Sequence, residues 1–171
     1  MDAATLYALR TFPDRLQAFY EAIPASYANW APPSWNGVPS ESFTPIEQIC
    51  HVRDIEVDGY HVRLRRALAE PNPVLADIDG YRLARERAYA QADAAAALAA
   101  FRRARTETLG LICNLSETRL QRTATFGDYG TVTVRGLVHL LCSHDQQHLA
   151  GLQWLLGRID ASRHAERRNI Q

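Results

Sequence analysis

The segment 134–156 constrains the fold most strongly. Its apolar residues Val134, Leu137, Val138, Leu141, Leu152, Leu155 and Leu156 fall on a single stripe at helical spacing, which defines an amphipathic helix with one buried face. On a helical wheel at ~100° per residue, His144, Asp145 and His148 lie on or beside that stripe. Unpartnered ionisable groups are costly to bury, so a helix that turns three of them inward must pair them or give them to a metal ion. The two histidines are four residues apart and share one helix face. Such a pair can present two imidazoles to one transition-metal ion. The alternative is two core-edge histidines hydrogen-bonded to their neighbours.

Three more helices are expected. The first spans 13–23, with Leu16, Phe19, Tyr20 and Ile23 at helical spacing and Pro24 ending it. A loop rich in proline and tryptophan follows, in which Trp30 and Trp35 read as a cap on one end of a bundle rather than a pocket wall. The second helix runs from 45 to about 69. It starts at Thr44-Pro45-Ile46-Glu47, which combines a Thr N-cap, a first-position proline and a third-position glutamate, and it stops before Pro71. Residues 71 to about 92 form a long crossover with a short helix around 82–90. The third helix covers about 93–115 and carries Leu98, Phe101, Leu109 and Ile112. After a loop with Gly127 and Gly130 comes the helix of the histidine pair, ended by Gly157. No strand pair is credible. The expected class is all-α, a four-helix bundle with a long crossover between its second and third helices, in one domain over 1–171.

Two ligands rarely make a strong site, and His51, His61, His139 and His164 are the other candidates. His139 points away from the pair and His164 sits in a polar tail. His51 lies two turns into the second helix. Periodicity alone places it half exposed, in a stripe with Asp54, Asp58, His61 and Arg65 that resembles a solvated face.

A helix carrying His51-x-x-Asp54, followed late in the chain by His144-Asp145-Gln146-Gln147-His148-Leu149, resembles the DinB (YfiT-like) superfamily. The stretches Leu68–Leu75 and Thr131–Arg135 extend the likeness over nearly the whole chain. The resemblance implies a four-helix bundle, a homodimer, and a metal site with one histidine from the second helix and two from the fourth. Carried onto this chain, the ligands are His51, His144 and His148. Gly136, near the start of the last helix, departs from the helix former expected there.

Arg53 and Asp145 both fall on apolar helix sides. Either each snorkels to the surface, or they pair across the second and fourth helices. Asp54 and Asp58 are either partners that orient an imidazole or solvated carboxylates, the latter favoured for Asp58. The three cysteines, Cys50, Cys113 and Cys142, read as reduced core residues of a cytoplasmic protein.

Acidic and basic residues balance at 19 each, so no nucleic-acid or anionic-membrane partner is expected. There is no lysine, which excludes Schiff-base and P-loop chemistry. No apolar run approaches the ~20 residues of a membrane span.

Three imidazoles leave coordination room for water or substrate. Bound water is then acidified, giving a hydrolase, or a thiol is bound as thiolate, giving S-transfer or isomerisation. The family resemblance links to both, including bacillithiol S-transferases and mycothiol-dependent maleylpyruvate isomerases. The expected function is a metal-dependent enzyme acting on a small molecule, with thiol transfer slightly ahead of hydrolysis and a low-molecular-weight thiol as a further cofactor. A non-catalytic metal-binding stress-response bundle is the rival. The metal is a divalent transition ion, zinc or nickel ahead of iron or manganese. A pocket without basic groups would count against an anionic thiol.

Overall fold

The computed structural model describes residues 1–168. Four long helical runs pack as a bundle. They are α1 (Ala3–Glu21), a second run made of α2 (Pro45–Asp54), a π turn (Ile55–Tyr60) and α3 (His61–Ala69), then α5 (Ala94–Ile112) and α7 (Val134–Arg168). Between them lie the short helices α4 (Gly80–Glu86) and α6 (Glu117–Leu120). In the bundle α2 packs on α5 and α7, and α1 packs on α5 and α7.

The expected start of the second helix holds. The backbone N–H of Thr44 donates to Glu47 Oε2 at 2.9 Å, closing the capping box. Gly136 is accommodated because Thr133 Oγ1 accepts from its N–H at 3.0 Å and caps the last helix.

Several expectations need correction. The first helix begins at Ala3, capped by Asp2, whose carboxylate accepts from Thr5 N at 2.8 Å. Pro13 therefore lies inside the helix instead of starting it. A proline there removes the bond to the carbonyl four residues back, and that carbonyl, Leu9 O, instead accepts from Arg105 Nη1 at 3.0 Å. Gly157 does not end the last helix, which continues to Arg168 and still buries Ile159. A three-stranded sheet is present, β1 (Val74–Leu75), β2 (Thr123–Phe126) and β3 (Thr131–Thr133). β1 pairs parallel with β2, and β2 antiparallel with β3. It ties the crossover to the loop before α7. Cys113 is exposed, Cys142 is half-buried and only Cys50 is buried.

The π turn explains a further error. Its wider turn shifts the helix register, so Glu56 and His61, five residues apart, are both buried while Val57 and Val62 face solvent. The supposed solvated stripe is broken. His51, Asp54 and His61 are buried, and Arg65 remains exposed.

Arg53 does not pair with Asp145. Arg53 Nε donates to its neighbour Asp54 at 2.6 Å. Asp145 instead meets the buried Arg105, with bonds of 2.7 and 3.0 Å. The same guanidinium donates to Glu56 at 2.8 and 2.9 Å, and Thr108 Oγ1 donates to Glu56 at 2.6 Å. One cation thus joins α1, the π turn, α5 and α7. Burial pushes the Asp145 carboxyl up to about 7 against the attraction of Arg105, and the Glu56 charge raises it further.

Candidate metal centre

His51 comes from α2, and His144 and His148 from one face of α7. Their Nε2 atoms converge: His144 lies 3.3 Å from His51 and 3.1 Å from His148. Glu41, from the loop before α2, completes the cluster. Its Oε1 is 3.5 Å from His51 Nε2 and its Oε2 3.3 Å from His148 Nε2. The four ligand atoms lie within 4.8 Å of one another, close enough to share one ion.

Local packing fixes each group. Gln48 Nε2 faces Ser40 Oγ at 2.9 Å and the carbonyls of Glu41 and Phe43 at 3.3 Å. Those carbonyls only accept, so the Gln48 carbonyl oxygen is the atom turned to His148 Nδ1. His148 must then carry its proton on Nδ1, which leaves Nε2 bare toward the cluster. Phe43 packs on the His51 ring, centroids 4.9 Å apart. The loop reaches Glu41 into place because α7 has no side chain at Gly151, where a Cβ would stand 2.3 Å from Ser40 Oγ. Trp35, in the same loop, stacks on Trp154 of α7 at 6.0 Å, and Trp30 meets Tyr27 edge-on.

Gly80 is a second close approach. A Cβ there would lie 2.5 Å from His51 Cε1. Gly80→Ala is expected to push the buried His51 ring off the common point and weaken zinc binding roughly tenfold or more, as loss of ligand support does, with the helical signal retained. Calorimetric zinc titration beside circular dichroism checks this. Unchanged affinity would show that His51 is not held by this contact.

Electrostatics favour neutral His144 and His148 beside an anion. Burial, then the His148 and His51 rings, hold His144 well below the usual histidine range. Burial likewise lowers His148, against the pull of Glu41. Burial raises Glu41, but the facing His148 and His51 imidazoles outweigh it and keep the carboxyl well below the ordinary range.

The other polar residues stand apart. His61 is a satisfied core histidine, its Nε2 donating to Ala104 O at 3.0 Å with Thr108 Oγ1 also at 3.0 Å. His139 meets Thr5 Oγ1 at 3.3 Å, and His164 is exposed. Asp54 orients no imidazole, since it accepts from Tyr89 Oη at 2.7 Å and pairs with Arg53 and Arg87. Asp58 pairs with Arg87. Glu41 was not anticipated from sequence, because loop residues carry no periodicity. Its place three residues ahead of the capping box was the available signal. His51 and His144 border a cleft of about 420 Å³, lined also by Tyr60, Arg63, Asp77 and Phe126. Among the described residues no helix is long and apolar enough to cross a membrane.

Comparisons with known proteins agree with this architecture. No curated protein matches the chain. Among solved structures, it is similar to YfiT from Bacillus subtilis, described as a probable metal-dependent hydrolase with an unusual four-helix bundle topology. The TM-score is 0.80 at 19% identity, covering 94% of this chain and 90% of that one. That likeness establishes the four-helix-bundle fold. The sequence profile of the DinB superfamily matches residues 8–152. With the match extending over most of its length, the chain belongs to the DinB superfamily.

Proposed function

We propose that this chain is a metal-dependent hydrolase of small molecules, with His51, His144 and His148 as ligands and Glu41 as the proton acceptor. The observation that carries the reading is the convergence of three imidazole nitrogens and one carboxylate at the edge of a cleft. The donor set fits a divalent transition ion, zinc or nickel foremost. Tetrahedral metal–nitrogen bonds of ~2.0–2.1 Å separate nitrogens by about 3.3 Å, close to the 3.1 and 3.3 Å found. YfiT's description as a probable metal-dependent hydrolase supports the same reading.

The ion supplies Lewis acidity and lowers the pKa of water toward ~7. The chain supplies the rest. Gln48 locks His148 in the tautomer that turns Nε2 inward. Glu41, held anionic, accepts the proton of the attacking water and returns it to the leaving group. This carboxylate reverses the sequence-based preference for thiol transfer. Hydrolysis needs a carrier that moves a proton from the attacking water to the leaving group, a role this carboxylate can fill, whereas a metal-bound thiol is already ionised. A homodimer and a small-molecule substrate belong to the same proposal.

The test is an ester and amide panel on zinc- and nickel-loaded protein, beside Glu41→Gln. The variant should keep its metal and lose roughly 10²–10⁴-fold in kcat. Undiminished turnover by Glu41→Gln would remove it as base. Turnover confined to thiol addition would replace the hydrolase reading with S-transfer.

A further inference from the structure

The cleft holds a cation that the reaction above does not use. Arg63 of α3 is 4% exposed, and its guanidinium lies over the rings of Phe126 at 4.4 Å and Tyr60 at 5.1 Å. Gly59 leaves room for it, since a Cβ there would stand 3.0 Å from Arg63 Nη1. Its protein partners are few for a buried guanidinium. Nε donates to Ala76 O at 3.1 Å, and Nη2 to Asp77 Oδ1 at 3.3 Å. Nη1 has no acceptor among the described residues. The Asp77 side chain is 83% exposed, so this ion pair is solvent-screened and exchangeable. The Tyr60 ring stands 6.4 Å from the His144 ring, so one aromatic ring separates the cation from the histidine cluster.

We propose that Arg63 is a specificity residue that receives a carboxylate of the substrate, making the substrate class small esters or amides bearing a free carboxylate. The identity of the bond hydrolysed rests on the function proposed above; the carboxylate subsite does not. A substrate carboxylate displaces Asp77 from Nη2 and takes Nη1 as well, giving the bidentate pair that a planar guanidinium favours. The scissile group then lies beyond Tyr60, at the histidines. The apolar walls, Ile55, Ile78 and Phe126, suit the short carbon chain between the two ends.

Glutarate, with neutral glutaramide as its isostere, is titrated by calorimetry into protein kept metal-free with chelator. Wild type should prefer glutarate, and Arg63→Gln should weaken glutarate binding roughly tenfold or more, the loss expected for charge-assisted hydrogen bonds. Asp77→Asn removes the internal competitor and should tighten glutarate binding, an effect that a merely structural Arg63 does not produce. If Arg63→Gln fails to fold, by circular dichroism, Asp77→Asn alone decides. Equal binding of glutarate and glutaramide, or no gain in Asp77→Asn, would overturn the proposal. Zinc titration of the same preparations separates the two readings. Zinc that fails to bind while glutarate still depends on Arg63 removes the metal reading only. Zinc binding with glutarate indifferent to Asp77 and Arg63 removes the subsite only.

Discussion

Replacing Arg105 by methionine should destabilise the chain by about 3–5 kcal/mol, the cost of leaving buried charges without their partner. Arg105, Glu56 and Asp145 are all about 1% exposed, and the arginine also serves the Leu9 carbonyl left free by Pro13. Truncation strands two carboxylates and one carbonyl in the same dry region. The loss should reach the site, because Asp145 stands between His144 and His148 and Glu56 lies five residues after His51. Urea unfolding measures the change. Adding Glu56→Met and Asp145→Leu should recover a large part of it, since an apolar triad of similar volume removes the unpaired charges. A loss below ~1 kcal/mol in the single variant would mean that water reaches the cluster and the triad behaves as a surface pair.

His144→Ala should abolish zinc uptake and turnover while leaving the bundle folded. His144 is half-buried, borders the cleft, and its Nδ1 has no hydrogen-bond partner among the described residues, so few interactions are lost with it. His148→Ala is a poorer probe. The sequence suggests a pocket-edge imidazole, but His148 is fully buried, and its removal also unpairs the Gln48 carbonyl oxygen, at about 1–3 kcal/mol. By contrast, Leu141→Ala or Leu152→Ala should cost ~2–5 kcal/mol through cavity formation. Melting curves and metal content of these variants, measured together, separate chemistry from stability. A His144→Ala protein that retains full metal content would exclude this imidazole as a ligand.

What could be read in advance follows the physics of each feature. The capping box at Thr44–Glu47 and the histidine pair are local patterns within a turn or two, and both appear where expected. The π turn is not local in this sense: no single residue marks it, and it turns Glu56 and His61 inward, whereas His51, ahead of it, is covered by Phe43 and the backbone at Gly80. Pro13 gives no local sign that it sits inside α1, because the group that takes up the carbonyl it frees, Arg105, lies 92 positions away. Arg105 itself carried a signal, sitting four residues after Phe101 and three before Thr108, on the buried face of α5. The apolar stripe points Asp145 to Arg53, whereas Arg105 reaches it only through the tertiary packing of α5. The strands, two to four residues long, are too short for alternation to register. Glu41 joins the histidines only through the fold of its loop against Gly151.

The most direct test of the metal centre is calorimetric titration of zinc into metal-free, untagged wild-type protein, with His51→Ala and His144→Ala alongside. One equivalent per chain is expected, with affinity lost in both variants and the helical signal intact in chelator, because an open site is not required for folding. Absence of saturable binding in the wild type, or wild-type affinity retained in both variants, would contradict it.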